Sequence, residues 1–255
     1  MWKIRTLTDK AEIHRVLQRD RLWSAYAIAD LENGLFERCE WHLAEGKSDW
    51  WALCLLYKGF DPPALISLGQ MKGVGAILTT SLAPPIAFFA AKPGHLAAIR
   101  RHYALESGER MLRMAVPIRD FKPVEGKPRR LHGADLDALK GLYSVRTPPF
   151  FSAEQVDQGV FYGLEVHGQL VSAAGTHVVA PKYGIAAVGN VVTHPDHRGA
   201  GYAALCSSAV TEELLAGGLD VVLNVGEKNE PARKIYERLG FRSYCRFVEV
   251  LGKRK

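Results

Sequence analysis

Apolar and polar positions alternate in several registers along the 255 residues. Trp50 to Tyr57, Ala64 to Leu68, Ala76 to Thr80 and Ile86 to Ala90 are short apolar runs bounded mostly by Gly, Pro or charged residues, which predicts strands. Asp9 to Gln18 and Arg21 to Asn33 have helical spacing, the first with Thr8 or Asp9 as its cap, and Pro93 to His102 reads as a third helix. Met111 to Val116 is extended. Gly73 to Ala91 carries no charge, but Pro84, Pro85 and two glycines interrupt it, so it reads as buried strands rather than a membrane span.

The pattern breaks between Val116 and Arg130, where Pro117, Pro123 and Pro128 sit among five cations. A Pro-rich basic stretch of this kind reads as a linker. The expected division is a mixed α/β domain over 1–116, a linker over 117–128 and a second domain over 129–255. In the second domain, Ala134 to Tyr143 is a helix, and Phe161 to Val166 with Gln169 to Val179 form a hairpin about His167-Gly168. A turn at Ala180-Pro181-Lys182 leads to a strand over Tyr183 to Val192. A Gly-rich loop, a helix from Gly201 to Ala216, an apolar strand Leu219 to Val225, a helix Pro231 to Leu239 and strands over Phe241 to Leu251 follow. The fold class is therefore α/β with a mixed sheet and at least one parallel crossover.

Composition narrows the function classes only slightly. An apolar share of 47% and a charged share of 24% are those of a folded globular chain. The N-terminal residues lack a secretory h-region, and Cys39, Cys54, Cys206 and Cys245 form no C-x-x-C pair. Both point to a reduced, cytoplasmic setting. The net charge of +6 fits a polyanionic small ligand better than nucleic acid, because no basic stripe is interleaved with aromatics.

The chemistry concentrates in Asn190-Val-Val-Thr-His-Pro-Asp-His-Arg-Gly-Ala-Gly-Tyr-Ala203. Pro195 stops the strand after Thr193, and Gly199 and Gly201 let the backbone turn tightly into the next helix. Free N–H groups then converge at a positive helix end, which suits a pyrophosphate, with Arg198 at the rim. Small residues at Gly201 and Ala203 keep the approach open.

Arg198-x-x-Gly201-x-Ala203, with its lead-in Val191-Val192-Thr193-His194-Pro195, resembles motif A of the GNAT (GCN5-related N-acetyltransferase) superfamily. Asn229-x-x-Ala232-x-x-x-Tyr236-x-x-x-Gly240-Phe241 is similar to the family's downstream helix. The resemblance covers about 125 residues and implies a GNAT fold in the C-terminal half. The N-terminal domain, which lacks a second such signature, has a pattern compatible with a degenerate GNAT-like repeat. Implied also is acetyl transfer from acetyl-CoA to a primary amine by direct attack. The backbone of Arg198, Gly199, Ala200, Gly201, Tyr202 and Ala203 would hold the pyrophosphate, and Val191, Val192 and Thr193 the thioester and arm. Asn229 and Ala232 would flank the pantetheine arm, and Tyr236 would donate to the departing thiolate. Asn229 can equally cap its helix.

A base must also take the amine's proton, and the strand Tyr183 to Val192 contains no Asp or Glu. Glu165, His177 and an ordered water stay open for that part. The missing carboxylate keeps a non-catalytic acyl-CoA sensor as the alternative. His194 and His197 have metal-pair spacing but no third ligand nearby. Cys206, on a helix of Ala and Leu, reads as core, and Gly73-Val74-Gly75-Ala76 lacks the rest of a phosphate loop. Trp41, Trp50, Trp51 and Tyr57 read as core packing before they read as a pocket.

Overall fold

A computed structural model describes residues 2–47, 49–144 and 152–255. Contacts divide the chain into two compact units that do not follow chain order. The first comprises Met1–Arg113, Gly226–Lys228 and Tyr244–Lys255, and the second Met114–Val225 and Asn229–Ser243. The proline-rich stretch 117–128 thus lies in the second unit, and the last residues of the chain lie in the first.

Unit one runs β1 (Lys3–Leu7), α1 (Lys10–Leu17), α2 (Ala25–Ala29), β2 (Cys39–Glu45), β3 (Trp51–Tyr57), β4 (Ala64–Gly69), α3 (Met71–Thr80), β5 (Ile86–Ala91), α4 (Leu96–His102) and β6 (Tyr103–Leu105). β7 (Glu109–Val116) begins in this unit and ends in the next. Unit two continues with β8 (Arg129–Arg130), α5 (Leu136–Tyr143), α6 (Ala153–Gln158), β9 (Tyr162–Val166), β10 (Gln169–Ala180), β11 (Ile185–Thr193), α7 (Tyr202–Ala216), β12 (Asp220–Gly226) and α8 (Glu230–Arg238). β13 (Arg242–Arg254) then returns to unit one, where it pairs antiparallel with β5.

From β1 to α4 and from β8 to α8 the element order is the same: strand, two helices, three strands, helix, strand, helix. Strand order is the same as well, β1-β2-β3-β4-β5 in one unit and β8-β9-β10-β11-β12 in the other. Pairing is antiparallel except at the crossover, where β4 lies parallel to β5 and β11 to β12. The chain is a topological duplication.

Local signals explain most elements. Asp9 caps α1 by accepting from the Glu12 N–H at 2.6 Å. The β9–β10 hairpin turns on His167 and Gly168, both at positive φ (52° and 78°), as a two-residue turn with the right twist requires. Three expectations change. Ala76 to Thr80 is not a strand but the end of α3, whose buried Val74, Ile77 and Leu78 are spaced i, i+3, i+4. Only Ala25–Ala29 of the expected helix Arg21 to Asn33 is α-helical. β1, β2 and α6 were not anticipated: β1 is short and carries Lys3 and Arg5, and α6 is a six-residue helix set by a Ser152 capping box.

The core of unit one includes Trp23, which is 2% exposed, and beside it Arg113, which is 3% exposed. The guanidinium donates to the carbonyls of Leu22 (3.0 Å) and Trp23 (3.3 Å). It lies 4.8 Å from the Tyr26 ring, 5.3 Å from Trp23 and 5.7 Å from Phe247. Burial lowers its pKa from the usual arginine value. A planar, weakly hydrated cation that stacks while donating sideways satisfies such a place, and a point-charge ammonium does not. Arg113→Ala is therefore expected to lower stability by about 3 kcal/mol in urea unfolding, with Arg113→Lys recovering less than half of the loss.

Candidate functional site

The crossover strands of unit two part company at their C-terminal ends. β11 and β12 pair in parallel from Ile185↔Asp220 to Val188↔Leu223, after which β11 runs on to Thr193 and β12 to Gly226. On its other edge β11 pairs with β10, and there the register breaks: Ala173 faces Val192, and Gly175 faces Gly189. Asn190 and Val191 thus stand against Ala174 alone, which is a β-bulge.

Asn190 is a non-glycine at positive φ (50°), a conformation asparagine tolerates better than most residues. It is held on three sides. Tyr143 at the end of α5 donates its hydroxyl to the Asn190 carbonyl. The Asn190 carboxamide donates to the Thr176 carbonyl at 3.0 Å, and its N–H to His177 Nε2 at 3.3 Å. The facing glycines are required by close approach, since a Cβ at Gly189 would enter the His177 ring and one at Gly175 the Phe161 ring.

Alternation along β11 sorts the expected residues. His194 N–H donates to the Val171 carbonyl at 2.8 Å, which turns the backbone groups of Val192 toward β10 and those of Thr193 the other way. Val192 itself packs in the core with Leu139, Leu142 and Phe161. The Thr193 carbonyl takes Arg198 Nε at 3.3 Å, which draws Arg198 over the loop.

That loop makes a 3₁₀ turn over Pro195–His197 and then places Gly199 at φ 83° and Gly201 at φ 81°. An added Cβ at either glycine would have nothing within 4 Å, so the surface above the turn is open. Tyr202, Ala203 and Ala204 begin α7, where the first-turn N–H groups have no intrahelical acceptors. With Arg198 exposed beside them, these donors fit a diphosphate.

At the start of α8 the Asn229 side chain accepts from the Ala232 N–H at 3.3 Å, so it caps the helix. Tyr236 is 7% exposed and meets Phe241 edge-on, with centroids 6.1 Å apart. Tyr143, whose phenol is pushed up by burial, is in electrostatic reach of Cys206 and Tyr236. Cys206 is itself fully buried against the Ser172 carbonyl at 3.8 Å, and burial pushes its thiol up to about 11. That is a packed thiol, not a nucleophile.

The two side chains considered as bases are separated. Glu165 lies on β9, beyond β10, and is bound to Arg129, which also holds Asp135. His177 sits against the bulge with Nε2 facing an N–H. His194 accepts from the Asp196 N–H at 3.4 Å, and among the described residues no three His, Cys, Asp or Glu side chains converge as a metal site. Tyr143 and the bulge escaped the sequence reading. Gly189-Asn190 inside an otherwise apolar strand was the available signal, because glycine within a strand marks a bulge or a close approach.

Unit one treats the equivalent place differently. β4 and β5 pair from Ala64↔Phe88 to Ile66↔Ala90, and beyond that the backbone is met by side chains. Trp23 Nε1 donates to the Ser67 carbonyl at 3.1 Å, and His95 Nε2 to the Gly69 carbonyl at 2.8 Å. Ser67 Oγ lies in hydrogen-bond contact with His95 Nδ1 at 2.9 Å, and burial lowers the pKa of the ring, which favours its neutral form. Gln70 alone joins β4 to α3, where unit two has an eight-residue loop between β11 and α7. The opening is filled and the glycine loop is missing.

Comparisons with known proteins bear on the fold. The family model described as FR47-like protein matches residues 162–249. A Drosophila protein of known structure is 13% identical, with 98% of each chain covered and a TM-score of 0.72. A GCN5-related N-acetyltransferase from Sphaerobacter thermophilus is 17% identical over 99% of this chain and 95% of that one, with a TM-score of 0.62. A tandem GNAT protein from the clavulanic acid biosynthesis pathway is 14% identical over 99% and 98%, with a TM-score of 0.54. No curated protein matches by sequence. The fold is thus the GNAT fold in a two-part layout, and no helix among the described residues is long and apolar enough to cross a membrane.

The glycines give a graded prediction. A Cβ at Gly240, at φ 96°, would collide with the Asp120 carbonyl, whereas Gly201 is strained by φ alone. Gly240→Ala is expected to cost about 3 kcal/mol or more and Gly201→Ala about 1 kcal/mol, read from urea midpoints with unchanged m-values.

Proposed function

We propose that the chain is an N-acetyltransferase that passes the acetyl group of acetyl-CoA directly to a primary amine, with unit two carrying the chemistry. The observation that carries this reading is the open end of the crossover: strands that stop pairing beside a glycine turn at a helix N-terminus. Arg198, Gly199, Ala200, Gly201, Tyr202 and Ala203 would receive the pyrophosphate through backbone N–H groups and one guanidinium. Unpaired N–H groups of Val191 and Thr193 would lie along the thioester and arm, and Val192 would only support them from the core. Ala232 would leave room for the arm, with Asn229 holding the helix that presents it.

Chemically, the amine's lone pair attacks the thioester carbonyl, whose oxygen gains negative charge, and the carbon–sulfur bond breaks to release CoA. A donor already aimed at that oxygen stabilises the developing charge. Tyr236 would meet the departing sulfur with a phenolic proton. Water would take the proton from the amine, since the accepting nitrogen of His177 is already turned to the Asn190 N–H.

Acetyl-CoA at 100 times its dissociation constant is expected to add about 2.7 kcal/mol of stability. Calorimetry should give one site per chain, since the equivalent opening of unit one is occupied by Trp23 and His95. No thermal shift and no heat would sink the proposal, and two equal sites would sink the assignment to unit two alone. Gly201→Val should abolish binding, and Arg198→Ala should weaken it by about tenfold. Tyr236→Phe should leave affinity intact and lower kcat by about a hundredfold with an amine acceptor found by screening.

A second reading follows from the absence of any Asp or Glu on β11 and the commitment of Glu165 to Arg129. On that reading the chain senses acyl-CoA without turning it over. CoA thiol release across a panel of primary amines separates the two: saturable binding with no release on any amine favours the sensor.

A further inference from the structure

Resting on the acetyl-CoA reading, we propose that Tyr143 is a positioning residue: its hydroxyl, by holding the Asn190 carbonyl, fixes the direction of the Val191 N–H that meets the thioester oxygen. The argument is one of peptide geometry. In a trans peptide the carbonyl of one residue and the N–H of the next point in opposite directions from a rigid plane. Tyr143 pins one end of the Asn190–Val191 plane. The other end is thereby aimed away from α5.

Without that bond the plane has little else to hold it. Neither Asn190 nor Val191 has a ladder partner in β10, and the parallel ladder to β12 ended at Val188. The remaining bonds act upstream of the plane: the carboxamide to Thr176 and the Asn190 N–H to His177 fix the Asn190 side chain and its preceding peptide. A bulge free to rotate about Asn190 ψ would spread the Val191 N–H over many directions. An oxyanion donor works only if it is aimed before the charge develops. Tyr143 sits at the end of α5, whose Leu139 and Leu142 pack in the same core as Val192, so the phenol is braced on the strand it clamps.

Amide spectra of the nitrogen-15-labelled full chain, parent and Tyr143→Phe, recorded without ligand, test the clamp by itself. The Asn190 and Val191 cross-peaks should shift or broaden in the variant, while those of α7 and unit one stay in place and melting remains cooperative. An unaltered Val191 cross-peak overturns the clamp, whether or not acetyl-CoA binds. If the variant does not fold, the parent decides. A slowly exchanging Tyr143 hydroxyl proton, close to the Val191 α-proton by cross-relaxation, supports the clamp, and its absence overturns it.

Acetyl-CoA labelled with carbon-13 at the thioester carbonyl then tests the role. Bound to the parent, its carbonyl stretch should fall below that of free acetyl-CoA. In Tyr143→Phe the stretch should return toward the free value and kcat should fall about 10- to 100-fold, with the dissociation constant within about threefold of the parent's. A variant that keeps both the lowered stretch and the parent's kcat overturns the positioning role. A parent that does not bind acetyl-CoA overturns the acetyltransferase reading instead, and the ligand-free spectra still judge the clamp.

Discussion

Two parallel strands that stop pairing partway leave a gap in a sheet, and the rest of this molecule is arranged around that gap. Backbone N–H and C=O groups at such a place need partners, because an unpaired buried polar group costs about 1–3 kcal/mol. The duplicated topology presents the problem twice and solves it in two ways. In unit one Trp23 and His95 turn their ring N–H groups onto the carbonyls of Ser67 and Gly69. In unit two the edge past Val188 is left without a ladder partner, and the neighbouring turn is built from glycines with open space above them.

The difference extends into the surrounding packing. Trp23 fills its gap as part of a stacked group with Arg113, Tyr26 and Phe247, so unit one has converted the opening into core. Burying a cation there is tolerable because Nη1 donates to two carbonyls and the guanidinium lies beside three aromatic rings. In unit two the residues nearest the gap are small or held from behind. Val192 faces the core, Cys206 packs against Ser172, and Tyr143 reaches the bulge from α5.

Much of this was legible in the chain, for reasons that differ by element. Gly199 and Gly201 announced positive φ because a turn between a proline-stopped strand and a helix leaves no other residue so free to take it. The hairpin at His167-Gly168 and the cap at Asp9 were equally local. Helix α3 was misread because Gly73 and Gly75 break the look of a helix, and its apolar spacing only shows once Val74, Ile77 and Leu78 are seen buried together. The bulge at Asn190 was hidden for the opposite reason. Its cause is not local: it needs Tyr143 from 47 residues upstream and two glycines facing each other across strands.

The fold persists while the sequence drifts. The Drosophila structure aligns over 98% of this chain with a TM-score of 0.72 at 13% identity. Few side chains in unit two are fixed by the geometry itself: glycines where φ is positive or another group comes close, and a donor able to reach the bulge carbonyl. Most of the other donors beside the gap are backbone N–H groups, which any residue but proline supplies. Substitution is therefore free wherever a side chain only has to fill space, and constrained where the peptide plane must point one way. On the proposed acetyltransferase reading, acceptor preference would come from side chains outside this constrained set, which is the part of the chain most free to differ between proteins of this fold.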